Sequence, residues 1–389
     1  MRKSPRDVAL DSMQTRRGAR VLVDARPLSY VFTGISVYLR SLLDELQDLD
    51  QYNHYYLLSH AKIHYHIKNP KWRKIEGRLN KRFVSSTWMQ GAVYQLARRN
   101  KYDLFWGTRH HLPFTLPRYI KKVLNIHDLV HMEHPETMPW YNLTLEKIMM
   151  KQSVKRAHCI ICDSRSTHSG LVKTYRTAHA KVFTVYPGAP SLAPLSNVDH
   201  VVEKVPPKYF LFVGTLEPRK NVIRLLKAFE KINPSHLGVH LVLVGAMGWK
   251  GADLSRLLKN YSCKASLKPM GYLPEEQLGY LYKNALCLVF PSIYEGFGFP
   301  ILEAMRFGTP VITSKVSSMP EVAGDAALLV DPYSVDDIKN AMLRIVNDAS
   351  LREKLSLYGK RRVRKFSWNT CAKKTLDVLK VALECKTCH

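Results

Sequence analysis

Short apolar runs alternate along this chain with longer stretches in which apolar side chains recur every three or four positions. The first pattern is that of buried strands and the second that of one-faced helices. VLVDA, YYLLS, LFWG, VLNIHD, CIICD and VFTVYP read as strands of a first half. Between the first two, Ile35, Tyr38, Leu39, Leu42, Leu43 and Leu46 keep helical spacing. A second half begins near Tyr209, where a strand ending near Gly214 leads to a helix with Val222, Leu225, Leu226, Phe229 and Ile232 on one side. Strand and helix in alternation predict an α/β chain of two doubly wound halves. With 389 residues there is material for two proper cores. Pro187, Pro190, Pro194, Pro206 and Pro207 punctuate the linker between them. The expected division is a flexible basic extension over 1–20, a first domain over 21–195, a second over 196–365 and a closing helix over 366–389.

Two strand-to-helix turns carry chemistry. In EGFGFPILE, after the apolar run CLVFPS that ends at Ser292, Gly296 and Gly298 let backbone amides approach a ligand, and Pro300 suits a first helical position. Gly308 and Pro310 would stop that helix. Its free amides and positive end would then lie at the carboxyl end of a strand, where open parallel sheets bind ligands. Phosphate suits the amides, whereas Glu295 and Glu303 would repel it and accept hydrogen bonds from hydroxyls instead. A phosphate flanked by polyols is a nucleotide sugar. Two glutamates at this spacing are common by chance, so alone they would equally be a loop acid and a solvated first-turn acid. The second turn, FVGTLEPRKN, places Arg219 and Lys220 between Gly214 and a helix. A guanidinium and an ammonium beside exposed helix amides would neutralise a departing diphosphate. Solvated charge is the commoner reading of one such loop, but it does not account for both.

These residues resemble those of the retaining glycosyltransferases of family 4, whose GT-B fold sets two Rossmann-like domains facing across a cleft. The resemblance rests on DARPLSYVFTGISVYLRSLL, VLNIHDLVHMEHPE, FVGTLEPRKN, LVLVGAMGW, and EGFGFPILEAMRFGTPVITS followed by PEVAGDAALLVDP, and spans nearly the whole chain. It implies that Glu303 holds the nucleotide ribose and that Glu295 lies by the donor sugar. Amides of Gly296, Phe297 and Gly298 would bind sugar hydroxyls or phosphate, and Lys220 with Arg219 the diphosphate. Many members have Gly-Arg where this chain has Gly214 and Thr215, which makes Arg219 the substitute. Gly34 would belong to the glycine loop facing the diphosphate from the first domain, and His127 would reach the transferred sugar. The last helix, after Phe366, Ser367 and Trp368, would cross back to the first domain. The resemblance further implies transfer with retained configuration, no cofactor and no metal, the departing phosphate oxygen taking the acceptor proton. Glu295 is then not the carboxylate nucleophile of a retaining hydrolase. DARPL and EPRKN resemble the mannosyl- and rhamnosyl-transferring subset, which implies a GDP-sugar and a lipid-linked saccharide in O-antigen, lipopolysaccharide or similar polysaccharide assembly. A UDP-glucose or UDP-N-acetylglucosamine donor stays open, as does, more remotely, a sugar epimerase.

The net charge of +27 changes the picture by demanding an acidic partner. From His60 to Lys101 eleven Lys or Arg stand against one acid, Glu76, interleaved with Tyr65, Trp72, Phe83, Trp88 and Tyr94. Such a segment suits an anionic membrane face or is a solvated surface, and lipid-linked chemistry favours the membrane. Lys360, Arg361, Arg362, Arg364 and Lys365 would add to it or form an exposed helix face. A basic nucleic-acid-binding protein would also explain the charge, but it would leave both phosphate-type loops idle, and no nucleic-acid module is present, so no nucleic-acid partner is expected. With neither a spanning apolar run nor a signal peptide, the expectation is a cytoplasmic protein bound peripherally at the inner face of the membrane. Seven cysteines make no disulfide framework here, and Cys159 and Cys162 fall on opposite faces of their strand. Cys385, Cys388 and His389 lack a fourth ligand for closed zinc and read as a terminus with free thiols. Asp48, Leu49 and Asp50 match a metal-binding DxD superficially, and are expected to be a polar helix end.

Overall fold

The computed structural model describes residues 17–30, 34–79, 85–191, 205–248 and 252–385. Most of the expected basic extension lies outside the described residues, as do Lys81, Arg82, Phe83, Pro194, Cys388 and His389.

Seven strands form the first sheet: β1 (Arg20–Asp24), β2 (His54–Ser59), β3 (Trp72–Glu76), β4 (Leu104–Gly107), β5 (Lys121–Ile126), β6 (Cys159–Cys162) and β7 (Val182–Thr184). Their order is β3-β2-β1-β4-β5-β6-β7 and every pairing is parallel. The second sheet holds β8 (Tyr209–Val213), β9 (His240–Val244), β10 (Leu267–Gly271), β11 (Cys287–Phe290), β12 (Val311–Ser314) and β13 (Leu328–Val330), in the order β10-β9-β8-β11-β12-β13. Central strands such as β8 and β11 are buried along their whole length, as a parallel sheet covered on both faces requires. In each sheet the winding reverses between the first and fourth strands. A crevice opens there above the carboxyl ends.

Helices cover the first sheet as α1 (Gly34–Leu49), α2 (Ser85–Arg99), α3 (Trp140–Arg156) and α4 (Arg165–Tyr175). Around the second lie α5 (Val222–Lys231), α6 (Ala252–Lys259), α7 (Glu275–Asn284), α8 (Phe299–Phe307), α9 (Met319–Ala323), α10 (Val335–Asn347) and α11 (Ala349–Val363). The helical spacing seen in sequence is the buried face of α1 and of α5, with Ile35 only half-buried. The last helix, α12 (Trp368–Glu384), begins where Ser367 Oγ accepts the Thr370 amide, and its Cys371, Ala372, Leu379 and Ala382 join Tyr38, Leu39 and Leu42 of α1 in one core. No helix among the described residues is long and apolar enough to cross a membrane.

Part of the basic segment is built into the first sheet. Its residues Trp72–Glu76 are β3, the edge strand of the first sheet, and Tyr65 and Trp72 are core residues, the latter packed on Tyr55 with ring centroids 4.5 Å apart. Arg73 and Lys74 project from that edge, where charge discourages pairing with another chain. Trp88, half-buried, and Tyr94, exposed, lie instead on α2. Asp50 is buried and accepts from Tyr55 Oη at 2.7 Å and Asn53 Nδ2 at 2.8 Å, so it fastens the α1–β2 turn. Cys159 and Cys162 are both buried free thiols.

Candidate active site

Three segments meet above the switch point of the second sheet. After β8, a tight turn at Pro218–Lys220 presents Arg219 and Lys220, and the next residue, Asn221, takes a left-handed conformation at φ 61°. Its side-chain amide donates to the Pro291 and Pro332 carbonyls, at 3.0 and 2.6 Å, which ties this turn to the loops after β11 and β13. After β11, Glu295 lies against both cations. Lys220 Nζ is 2.5 Å from Glu295 Oε1 and Arg219 Nη1 is 2.8 Å from Glu295 Oε2. Arg219 Nε is held 2.6 Å from Glu217 Oε1, and Lys220 Nζ lies 5.0 Å from the centre of the Phe290 ring.

The cluster is two carboxylates against two cations, neutral as a whole and largely withdrawn from water. Burial pushes the Glu295 carboxyl up, but the charges of Arg219 and Lys220 outweigh it and bring it to about 2. Glu217 is raised, its burial outweighing the same two cations. The Lys220 ammonium is lowered by burial and by its neighbour Arg219, against the pull of Glu295. Ser317 and Ser318 donate to the Glu295 carbonyl, at 2.5 and 2.9 Å, and set the loop.

Gly298, at φ +105°, is the residue before α8, and its conformation favours glycine. Glu303 sits one turn into α8, half-buried, with Tyr282 Oη donating to its Oε2 at 2.7 Å. Burial pushes Glu303 up to about 7, Tyr282 opposing and Glu275 adding. Phe297 turns its ring away from the cleft into a cluster with Tyr186, Phe299 and Phe366.

The first domain meets this loop through backbone. A β-carbon on Gly296 would fall 1.8 Å from the His127 carbonyl oxygen, so only glycine permits the approach. His127 follows β5 as expected, but its ring is turned into its own domain. Nδ1 faces Asp163 Oδ2 at 2.7 Å and Nε2 faces the Thr108 carbonyl at 2.9 Å. Both partners are acceptors, so the ring donates from both nitrogens as imidazolium. Its pKa is raised accordingly, burial being outweighed by Asp163 and the Thr108 contact. His110 Nε2 accepts the His127 amide at 3.3 Å and His110 Nδ1 lies 3.1 Å from Glu146 of α3. Gly34 opens α1 with nothing within 4 Å of a β-carbon position, so among the described residues it stands apart from the cluster. Gly214 lies beneath the Lys220 stem, 3.7 Å from a β-carbon position to Cε.

Sequence reasoning thus named Arg219, Lys220 and Glu295, which the fold brings together, and Glu303 and His127, which it sets to either side. It passed over Glu217 and Asn221, although both stand in the FVGTLEPRKN run: Glu217 pairs with Arg219 only two positions on, and nothing local marks the Asn221 amide as partner to a loop 70 positions away. It also passed over Asp163 at the end of β6, Tyr294, whose Oη accepts the Leu129 amide at 2.9 Å, and Glu321. Glu321 of α9 accepts the first amides of α4, from Arg165 and Ser166 at 3.0 and 2.9 Å, and the Tyr186 hydroxyl at 2.8 Å. A carboxylate at a helix start is stabilising, and this one joins the two domains.

Comparison with known proteins agrees with this architecture. Residues 32–191 match the family model "Glycosyltransferase Family 4" and residues 198–362 match "Glycosyl transferases group 1". The chain is 33% identical over 285 residues to O-antigen chain mannosyltransferase B of Escherichia coli, covering 72% of this chain and 74% of that one. It is 28% identical to O-antigen chain mannosyltransferase RfbU of Salmonella typhimurium, covering 64% and 66%. Sucrose-phosphate synthase from Thermosynechococcus elongatus superposes with a TM-score of 0.74 at 20% identity, over 94% of this chain and 99% of that one. Two facing parallel sheets and both domain matches lead to one conclusion: the chain belongs to the family 4 glycosyltransferases and has the GT-B fold.

Proposed function

We propose that this glycosyltransferase moves mannose, or a related deoxyhexose such as rhamnose, from a GDP-sugar to a lipid-linked saccharide during assembly of O-antigen or a similar surface polysaccharide. The observation that carries the reading is the 33% identity, over 72% of the chain, with an O-antigen chain mannosyltransferase of Escherichia coli. The reaction takes place at the inner face of the cytoplasmic membrane, with the enzyme bound peripherally to anionic lipid.

The site geometry supports a diphosphate donor. Lys220 and Arg219 project beside the switch point, and a bound diphosphate replaces Glu295 as their partner. Glu295 is then free to accept from sugar hydroxyls, and Glu303 from the ribose. Lys220 and Arg219, rather than a metal, neutralise the leaving group as the bond from anomeric carbon to phosphate oxygen breaks. The acceptor hydroxyl attacks the same face and gives its proton to the departing phosphate oxygen, so configuration is retained and no separate base is used. His127, its ring held by Asp163 and the Thr108 carbonyl, presents its own carbonyl to the Gly296 loop.

The test is a panel of nucleotide sugars read by thermal shift, with turnover as a second readout. At 100 times its dissociation constant a ligand adds about 2.7 kcal/mol of stability. GDP-mannose is expected to raise the melting temperature and UDP-glucose to leave it unchanged; the reverse result would overturn the donor assignment. Lys220→Ala should lower turnover roughly 100-fold, with Arg219→Ala less affected, and EDTA should leave wild-type turnover intact.

A further inference from the structure

Helix α3 turns two unlike faces outward and inward. Inward, Glu146 is its only acid and is held by His110. Outward, Trp140, Leu145 and Ile148 are 79%, 56% and 58% exposed, and Lys147, Lys151 and Lys155 are exposed among them. At 3.6 residues per turn these six positions fall within an arc of about 160°. The three lysines make no hydrogen bond or ion pair among the described residues. Between α3 and the end of α4 runs a groove of about 730 Å³ lined by these lysines with Arg176 and Lys181, and by no acid. Arg176 closes α4 at φ 47°, a conformation that favours Gly or Asn, yet the chain places a guanidinium there. Glu133 and Glu136, exposed on the turn before α3, lie beyond its start.

Large apolar side chains interleaved with lysines, without exposed acid, fit the boundary between headgroups and acyl chains. The apolar tips enter the bilayer and the ammonium groups meet phosphates. The β3 edge has comparable charge, but its Trp72 and, ahead of it, Tyr65 are core residues. We propose that the outer face of α3, with the groove it forms against the end of α4, is the surface by which this protein lies on an anionic lipid bilayer. This deepens the membrane-bound reading given above and rests on it. The inner face of the same helix holds His110, which accepts the His127 amide, so the docked surface lies one helix thickness from the cleft. A lipid-linked acceptor would then reach the site along α3.

The full-length protein is floated with vesicles of phosphatidylglycerol and phosphatidylethanolamine, and with phosphatidylcholine alone, without any donor present. Wild type is expected to float with the anionic vesicles only, and less as salt rises. Each lost cation should lower partitioning about fivefold, so Lys147→Gln, Lys151→Gln and Lys155→Gln together should lower it on the order of 100-fold. Ile148→Ser should weaken it too, and quenching by brominated acyl chains should be lost in Trp140→Phe. The control, Arg73→Gln with Lys74→Gln on β3, should float like wild type, and all variants should keep wild-type melting. Flotation unchanged by the α3 variants, or lost in the β3 control, overturns this surface while leaving membrane binding in place. No flotation of the wild type overturns membrane binding itself, and says nothing against the donor. Loss of flotation to inorganic phosphate at matched ionic strength would show a phosphate-ion site instead of a bilayer surface.

Discussion

A carboxylate that already accepts from two cations has little left to offer a sugar. Glu295 is in that state here, paired to Lys220 and Arg219, while Glu217 takes the Nε edge of Arg219. The four charges cancel, which allows them to be buried without a ligand; removing one partner would leave an uncompensated buried charge. The proposed donor diphosphate exchanges into this network and releases Glu295. Glu303 belongs to a different electrostatic setting, pushed up to about 7 by burial. An unfolded glutamate titrates near 4.3. A folded value above that means the native state holds a proton the unfolded chain has lost. Its contribution is therefore fully present below about pH 4.3 and is lost as pH rises through about 7, a penalty on the order of 3 kcal/mol at higher pH. Donor binding should run the other way, because the ionised carboxylate is the better acceptor for ribose hydroxyls. Glu303→Gln is expected to melt above wild type at about pH 8 and close to it near pH 5, while binding the donor roughly 10- to 100-fold more weakly at the higher pH. Calorimetry over that range decides: a wild-type donor affinity independent of pH, matched by the variant, would take Glu303 off the ribose. None of this pairing was legible in sequence, where a charged loop residue has no visible partner until the fold supplies one.

Elements were more legible than contacts, for a physical reason. A strand buried on both faces must be a continuous apolar run, and α1 and α5 must keep one apolar side, so those periods survive in the letters. Edge strand β3 escaped because WRKIE buries only Trp72 and exposes Arg73 and Lys74 on both faces, which reads as a basic patch. The short helix α8 was legible through its breakers, Gly298 before it and Gly308 after it, both at positive φ. What the breakers do not reveal is the close approach just ahead of them. Gly296 meets the His127 carbonyl of the facing domain so closely that a methyl group there would overlap it. Gly296→Ala should therefore hold the two domains apart without disturbing either core. Small-angle scattering of the donor-free variant should show a larger radius of gyration at unchanged melting temperature. Turnover should fall on the order of 100-fold, the scale of an ångström-sized misplacement of reacting groups. A variant as compact and as active as wild type would mean that the approach of Gly296 to His127 is not part of the working state.

At the scale of the whole molecule the question is what makes two domains one cooperative body. Polar joints such as Glu321 to the start of α4 and Tyr294 to the Leu129 amide make interfaces of a kind that ordinarily leaves domains free to move. The covalent path supplies more: the chain leaves the second domain after α11 and returns as α12 into the core of the first. Trp368 stands at the crossing. Its ring lies stacked on Phe299 of α8 with centroids 6.3 Å apart, meets Tyr38 of α1 edge-on at 5.8 Å, and donates from Nε1 to the Ala189 carbonyl at 3.1 Å. Contacts to both domains from one rigid ring resist their separate unfolding. Removing it should cost somewhat less than the roughly 3–5 kcal/mol of a fully buried Trp→Ala change, because the ring is half-buried. The loss falls on the coupling more than on either core, so Trp368→Ala is expected to split one calorimetric transition into two. A bound nucleotide sugar should then raise only the transition of the second domain, where the proposed diphosphate and ribose contacts lie. Trp368→Phe, which keeps the stack and loses the hydrogen bond, should remain nearly a single transition. If Trp368→Ala unfolded in one step, with the donor raising the whole of it as in wild type, the indole would be packing material and the coupling would reside in the polar joints.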